Sequence, residues 1–368
     1  MASSGSQHWK PKINRMVQMD SLISRASIEG IIEEFNIDVG STEPVKCESL
    51  DGSTRVFSVY RSDLVENLYI VETVSGRRIA CHPHIVGAKL KSLAFEAAVE
   101  AAAIISELAG LHKVNPSSIV FEHVLRAAPG YELHTAFKQL NKNRRFREVW
   151  IRTLYEKPSY RDHDLKEPSP LNIVYEDFSV LPRNNEIIVL KPDTEATGRT
   201  GQLAVERLVE RSEEAGSTIR KLILYGFISA PALKIIGNTA KKHGIELFAF
   251  SIGNITDLAY NGYDMTLYGV DESYWKATGK IRRLGSIVDI ETLAKYLPEF
   301  IPGLDQPGDW SNRQALIYTT KEKTEPGLIR NHLQNNIEMI ESLMAISNFE
   351  DWQTRIARQE LRLLRASL

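Results

Sequence analysis

Short, almost continuously apolar segments alternate with amphipathic segments between residues 117 and 252, and this alternation constrains the fold more than any other feature. The apolar segments include EIIVLK (186–191), KLILYGFI (221–228) and IELFAFSI (245–252). Strands that are apolar throughout are typical of a parallel sheet covered by helices on both faces. Ligands of such sheets bind at the carboxyl ends of the strands, so the loops at those ends are the first candidates for a functional site.

The composition excludes several classes of protein. The chain has 368 residues, 43% of them hydrophobic, with 45 basic and 47 acidic residues. This near-neutral balance excludes an overall basic surface for a nucleic-acid backbone. Two cysteines, Cys47 and Cys81, are too few for a disulfide scaffold or a four-cysteine zinc site. No apolar run approaches the roughly 20 residues of a membrane span, and the start lacks a secretory apolar core, so we expect a cytoplasmic protein without membrane contact.

The chain divides into three regions by pattern. We predict a partly β-rich N-terminal extension (1–80), an α/β core (81–276) and a loop and helical C-terminal extension (277–368). Apolar residues of the last region recur at helical spacing, which predicts a packing face. That face packs on the chain's own core or on a second subunit, or the region is a lid over the site.

The segment that joins the strand at 186–191 to the helix predicted at 201–216 carries the strongest chemical signal. Backbone N–H groups in such a turn converge, and the helix N-terminus adds roughly half a positive charge, which suits a phosphate. The hydroxyls of Thr194, Thr197 and Thr200 can donate further hydrogen bonds, and Gly198 leaves room for a phosphate to approach the backbone closely. The alternative is an ordinary helix start, with Thr200 as its capping residue.

The segment 193–200 resembles the phosphoribosyl pyrophosphate (PRPP) loop of the type I phosphoribosyltransferases. There a strand and an acid lead into Ala-Thr-Gly-x-Ser/Thr and a helix. Four further segments resemble those of the uracil phosphoribosyltransferases, in the same order: His82-Pro83-His84-Ile85 with Lys89-Leu90, the pyrophosphate loop Val124–Gly130, the arm Tyr160–Leu165 with Pro168, and the acceptor loop Asn261–Gly269. The resemblance implies a phosphoribosyltransferase-like parallel-sheet core over residues 81–276.

The resemblance also implies a role for each matched position. The 5-phosphate would be held by Thr194, Glu195, Ala196, Thr197, Gly198, Arg199 and Thr200. The pyrophosphate would be held by Arg126, Ala127, Ala128, Pro129 and Gly130. The acceptor would be held by the backbone of Leu267, Tyr268, Gly269, Val270 and Asp271. The catalytic residues would be Asp193 near the ribose hydroxyls, Arg126 at the leaving group and Arg161 on an arm that closes over PRPP. Magnesium would arrive with PRPP, so no protein metal ligands are expected.

The chain departs from the family pattern at several of these positions. Pro192 and Asp193 reverse the Asp-Pro order of the uracil enzymes, Arg199 and Ala128 replace loop glycines, and Val270 replaces an Asp. These departures leave three functions open. The first is transfer of 5-phosphoribosyl to a uracil-like base or a specialised heterocycle. The others are a non-catalytic nucleotide-sensing or regulatory module and an enzyme that cleaves a nucleoside monophosphate.

Two further motifs have structural interpretations beside functional ones. His82 and His84 flank Pro83, and we interpret them as a structural or interface turn. A metal site is the alternative there, without a carboxylate or cysteine pair at ligand spacing apart from neighbouring Cys81. The basic run KNRRFR (142–147) predicts a solvated face or subunit contact, with RNA binding as the alternative. We therefore expect small-molecule substrates, no nucleic acid, and a homodimer or higher homo-oligomer.

Overall fold

Strands and helices alternate through most of the chain. The computed structural model describes residues 23–48, 52, 54–142, 144–156 and 170–368. The strands in these ranges are β1 (Thr42–Pro44), β2 (Arg55–Val59), β3 (Asn67–Glu72), β4 (Ile119–Leu125), β5 (Arg147–Tyr155), β6 (Leu171–Asp177), β7 (Glu186–Pro192), β8 (Thr218–Ser229), β9 (Glu246–Thr256), β10 (Gly269–Val270), β11 (Arg283–Leu284), β12 (Ser286–Ile287), β13 (Leu316–Tyr318) and β14 (Thr324–Pro326). The α-helices are α1 (Arg25–Glu34), α2 (Val74–Cys81), α3 (Gly87–Leu108), α4 (Leu133–Leu140), α5 (Arg199–Glu214), α6 (Ala230–Lys242), α7 (Glu272–Thr278), α8 (Ile290–Tyr296), α9 (Trp310–Arg313), α10 (Ile329–Ile346) and α11 (Asp351–Ala366).

The central sheet has the strand order β1-β2-β3-β9-β8-β7-β4-β5-β6. The six neighbouring strands from β3 to β5 are parallel. The strands β1, β2, β6 and β12 add antiparallel pairings. The predicted α/β class with a mostly parallel sheet is therefore confirmed. Strand β3, which comes from the predicted N-terminal extension, is one of the six parallel strands.

Helices cover both faces of this sheet. On one face, Phe121 and Tyr225 of the strands belong to a hydrophobic cluster that includes residues of α1, α3, α4, α10 and α11. On the other face, Val189 and Leu222 belong to a cluster that includes residues of α5 and α6. This burial on two sides explains why β4, β7, β8 and β9 are almost free of exposed residues. Among the described residues, no helix combines the length and the apolar character that a membrane crossing requires.

The C-terminal extension packs on the chain's own core, as one of the sequence alternatives predicted. The apolar stripe of α10, which includes Leu333, Ile337 and Ile340, belongs to the same hydrophobic cluster as the strands. The segment before α10 reaches the carboxyl edge of the sheet. There the ring of Trp310 stacks on Tyr131, with centroids 4.2 Å apart and planes 14° from parallel.

Candidate functional site

Two loops lie side by side where the order of the strands reverses. From β4 the chain proceeds to β5 on one side, whereas from β7, on the other side of β4, it proceeds away to β8 and β9. The loops after β4 and β7 therefore flank a topological switch point, where open α/β sheets bind ligands. Tyr131 lies in the loop after β4 and Thr194 in the loop after β7, and their hydroxyls are 2.5 Å apart. The structure thus brings the predicted pyrophosphate loop (126–130) next to the predicted phosphate loop (193–200).

The N-terminus of α5 has no side-chain cap from its N-cap residue, although the hydroxyl of Thr197 accepts the N–H of Arg199 at 3.3 Å. Gly198 is its N-cap residue, with a φ of 76° in the left-handed region that glycine adopts without strain. Thr200 lies inside the first turn, so the alternative that made Thr200 the capping residue is wrong. The N–H groups of Ala196, Thr197 and Gly198 donate to no residue in the described part of the chain. A helix end whose N-cap residue has no side chain, beside such N–H groups, is suited to an anion.

A fully buried lysine lies beneath the predicted phosphate loop. The Nζ of Lys191 lies 2.9 Å from Oδ2 of Asp193 and also contacts the carboxylate of Glu195. The other carboxylate oxygen of Asp193 accepts the N–H of Thr194 at 2.8 Å. A Cβ added at Gly201 would lie 2.5 Å from Oε2 of Glu195, so this carboxylate sits directly under the first turn of α5. The side chains of Asp193 and Glu195 thus face a buried cation in the interior. The groups that the loop can present to a ligand are therefore its backbone N–H groups and its hydroxyls, rather than these carboxylates.

Glu122 of the neighbouring β4 completes this buried charge cluster. Both of its carboxylate oxygens are buried and have no hydrogen-bond partner among the described residues. Burial raises the pKa of Glu122 to about 7, although the charge of Lys191 opposes the rise. Burial also raises the pKa of Glu195 to about 7 and raises that of Asp193, again against Lys191. Burial alone would lower the pKa of Lys191, but the surrounding carboxylates raise it above its usual value.

Replacing Glu122 with glutamine is expected to stabilise the protein increasingly as pH rises. In wild type, Glu122 ionises near pH 4.5 when unfolded but near pH 7 when folded. The unfolded state therefore gains stability relative to the folded state across that window. Wild type therefore loses stability as pH rises, and the variant does not. The free energy of unfolding of the variant, relative to that of wild type, should rise by about 2 kcal/mol between pH 5 and pH 8. Urea unfolding at the two pH values measures the difference.

The exposed Glu186, at the amino end of β7, provides the matched control for this experiment. Its replacement with glutamine removes one carboxylate outside the buried cluster, and the change that it gives between the two pH values is the baseline for the Glu122 variant. A change with pH for the Glu122 variant that does not exceed this baseline would contradict the assignment of a raised pKa to Glu122.

The predicted pyrophosphate loop is covered by the C-terminal extension. The Nη1 of Arg126 donates to Oε1 of Glu325 at 2.7 Å, and both side chains are partly exposed. A Cβ added at Gly130 would lie 2.4 Å from the amide of Gln314, so this side chain covers the end of the loop. Ala128 is buried, and the Leu125–Arg126 peptide bond is cis. Arg126 therefore has a carboxylate of the hairpin β13–β14 as its partner at the edge of the site.

The predicted acceptor residues lie in a packed part of the molecule. Leu267 and Tyr268 are buried, and the carbonyl of Tyr268 accepts the N–H of Gly303 at 2.7 Å. Asp271 caps α7 and pairs with Arg282 at 3.3 Å. Asp271 also accepts the N–H of Tyr260 at 2.9 Å, and the ring of Tyr268 lies against Phe35. Residues 267–271 are thus packed among several parts of the chain, the C-terminal extension included. Arg161 and the predicted arm at Tyr160–Leu165, with Pro168, lie outside the described residues.

The sequence interpretation missed four residues of this region. Lys191 and Glu122 left a local signal, because each is a charged residue inside an otherwise apolar strand. Such a residue needs a buried partner of opposite charge. Trp310 and Glu325 left no local signal, since their contacts with Tyr131 and Arg126 join distant parts of the chain.

Comparison with known proteins finds structural similarity only. No protein family and no curated protein matches the sequence. An adenine phosphoribosyltransferase from Trypanosoma brucei, solved with AMP, pyrophosphate and ribose-5-phosphate, is similar over 52% of this chain and 84% of that chain, at 13% identity and a TM-score of 0.32. One from Giardia lamblia, complexed with 9-deazaadenine, covers 42% and 80%, at 20% identity and a TM-score of 0.28.

A hypoxanthine phosphoribosyltransferase from Trypanosoma cruzi, complexed with IMP, is also similar. The match covers 56% of this chain and 91% of that chain, at 14% identity and a TM-score of 0.26. Because these TM-scores lie below 0.5, an activity has to be inferred from the two loops themselves.

Proposed function

We propose that the protein is an enzyme that transfers 5-phosphoribosyl from PRPP to a planar acceptor, a uracil-like base or a specialised heterocycle, and releases pyrophosphate. One observation carries the proposal: the N-terminus of α5, whose N-cap residue Gly198 has no side chain, lies at the switch point of the sheet, beside the loop that holds Arg126. The N–H groups of residues 196–198, which donate to no residue in the described part of the chain, suit the 5-phosphate. A guanidinium suits the charge of pyrophosphate.

In this reaction the bond between the anomeric carbon and the pyrophosphate oxygen breaks as the acceptor forms its bond to that carbon. The protein's contribution would be to position the two reactants and to stabilise the charge that leaves with pyrophosphate. Arg126 would exchange the carboxylate of Glu325 for pyrophosphate oxygens. Magnesium would be carried by the oxygens of PRPP, which suits a site whose carboxylates, Asp193 and Glu195, are already held by Lys191.

Two contacts favour a second candidate, a module that binds a nucleotide without turnover. Glu325 neutralises Arg126, and Lys191 neutralises Asp193, the carboxylate assigned to the ribose hydroxyls. An enzyme that cleaves a nucleoside monophosphate would bind the phosphate at the same loop and would release a free base.

Thermal unfolding of the full chain with PRPP and magnesium tests the proposal without knowledge of the acceptor. PRPP at about 100 times its Kd should stabilise the folded state by about 2.7 kcal/mol, which raises the unfolding midpoint. A further rise with one member of a panel of bases would identify the acceptor, and pyrophosphate release with that base would establish turnover.

Magnesium alone, and magnesium with inorganic phosphate, are the controls. A rise in the unfolding midpoint with nucleoside monophosphates, but none with PRPP, would favour the nucleotide-binding module. If free base were also released, the result would favour the enzyme that cleaves a nucleoside monophosphate. No rise with PRPP or with any nucleotide would contradict a phosphoribosyl site at these loops.

A further inference from the structure

A second cluster of ligating side chains lies outside the two loops, where the chain leaves α2. The Nδ1 atoms of His82 and His84 lie 3.0 and 2.6 Å from the two carboxylate oxygens of Glu360 on α11. One donor atom from each of the three residues lies within 4.8 Å of the other two. Glu360 is 278 residues away from His82 in the chain, so the sequence offered no sign of this carboxylate beside the histidine pair.

The backbone that presents the two histidines is held firmly from inside. Arg313 is fully buried and donates to the carbonyls of Ile79, His82 and Ile85 at 3.1 to 3.2 Å. The Nε2 of His332 donates to the carbonyl of Pro83 at 2.9 Å. Glu360 also holds the turn, since its Oε1 accepts the N–H of His84 at 3.1 Å. The backbone therefore needs no contact from the imidazoles to keep its shape, and their Nδ1 atoms can exchange the hydrogen bonds to Glu360 for a shared ligand. Such pre-organisation lowers the entropic cost of binding.

A further carboxylate lies beside the cluster, and the cluster is partly open to solvent. The other ring nitrogen of His82, Nε2, lies 3.6 Å from a carboxylate oxygen of Glu299. A carboxylate behind a ligating histidine is the usual device that orients the ring toward a metal. Glu360 is 3% exposed, whereas both imidazoles are 25% exposed, so an ion has a route in and water can complete its coordination.

We propose that His82, His84 and Glu360 form a zinc site that ties α11 to the turn after α2. Two imidazoles and one carboxylate are a donor set that Zn²⁺ accepts, whereas Mg²⁺ and Ca²⁺ prefer oxygen ligands. Ligand atoms around a tetrahedral zinc ion are about 3.4 Å apart, so each Nδ1 atom would separate from its present oxygen of Glu360 by less than about 1 Å. The proposal is independent of the phosphoribosyltransferase function.

The test uses the full-length protein, freed of metal with a chelator that is then removed, and titrated with Zn²⁺ in a calorimeter. We expect one equivalent to bind with a Kd below about 1 µM and to raise the thermal unfolding midpoint. Glu360→Gln keeps the size of the side chain and removes its charge, and it should weaken zinc binding at least about tenfold. Mg²⁺ should neither bind at this affinity nor raise the midpoint.

A matched control comes from the second histidine and carboxylate group of the described chain, in which His123 and His134 face Glu148. Glu148→Gln should leave zinc binding unchanged. Circular dichroism of each metal-free variant checks folding, and His84→Gln replaces Glu360→Gln if the latter does not fold. Absence of one-equivalent binding, or binding that Glu148→Gln removes and Glu360→Gln does not, would overturn the proposal.

Discussion

Replacing Arg126 with alanine is expected to lower kcat/KM for PRPP by about 10²–10³-fold, the usual cost of removing a group that stabilises transition-state charge. Arg126 lies at the carboxyl end of β4, beside the phosphate loop, and 33% of its side chain is exposed. It can therefore exchange Glu325 for a substrate oxygen without being pulled from the protein interior. Steady-state release of pyrophosphate, with the acceptor selected by thermal unfolding, measures the effect.

Two further variants distinguish substrate binding by Arg126 from a structural role. Arg220 also pairs with a glutamate, Glu186, at 3.4 Å, but at the opposite edge of the sheet. Arg220→Ala should therefore leave the kinetics unchanged. Glu325→Ala frees Arg126 and should lower KM for PRPP. If Glu325→Ala instead reduced kcat/KM as much as Arg126→Ala, the arginine would only anchor the hairpin, and its assignment to pyrophosphate would be contradicted.

Replacing Lys191 with methionine is expected to destabilise the protein by about 3–5 kcal/mol at pH 8, because removal of one partner leaves a buried charge uncompensated. Lys191 is the cation that Asp193 and Glu195 contact, and Glu122 lies in its field. Methionine preserves most of the side-chain volume, so the loss reports charge more than packing. Urea unfolding at pH 8 measures it.

The pH dependence of this variant separates charge from packing. Without the cation, the buried carboxylates destabilise the folded state most when they are ionised. The destabilisation should therefore shrink as pH falls toward 5 and the carboxylates take up protons. Lys234→Met is the control, since Lys234 forms a half-exposed pair with Asp63 at 2.9 Å. Exposed pairs contribute about 0–1 kcal/mol. A loss for Lys191→Met no greater than that of the control would contradict a charge role for Lys191.

Elements with a strong local pattern were predictable from the sequence. The strands β4, β7, β8 and β9 are buried on both faces, so their apolar residues are continuous and easily recognised. The strands β5 and β6 were missed, because they mix buried with partly exposed residues near the edge of the sheet. The helices α10 and α11 were predicted from their apolar spacing, although that spacing did not say what they would pack on.

The position of the candidate site's loops was predictable from the sequence. The residues 193–200 follow an apolar strand and precede a helix, and this order by itself predicts a helix N-terminus at the carboxyl edge of a sheet. The orientation of Asp193 and Glu195 was not predictable. Their carboxylates turn inward because Lys191 is buried beneath them, and a buried cation requires partners of opposite charge.

The sequence by itself therefore determined the mostly parallel α/β sheet and the position of its two loops, because apolar continuity and helix boundaries are local properties of the chain. Only the tertiary structure decided which distant residues meet. Glu325 lies 199 residues beyond Arg126 in the chain, and Glu360 lies 276 residues beyond His84. Contacts of that kind depend on how the C-terminal extension packs on the core, which no local pattern of residues encodes.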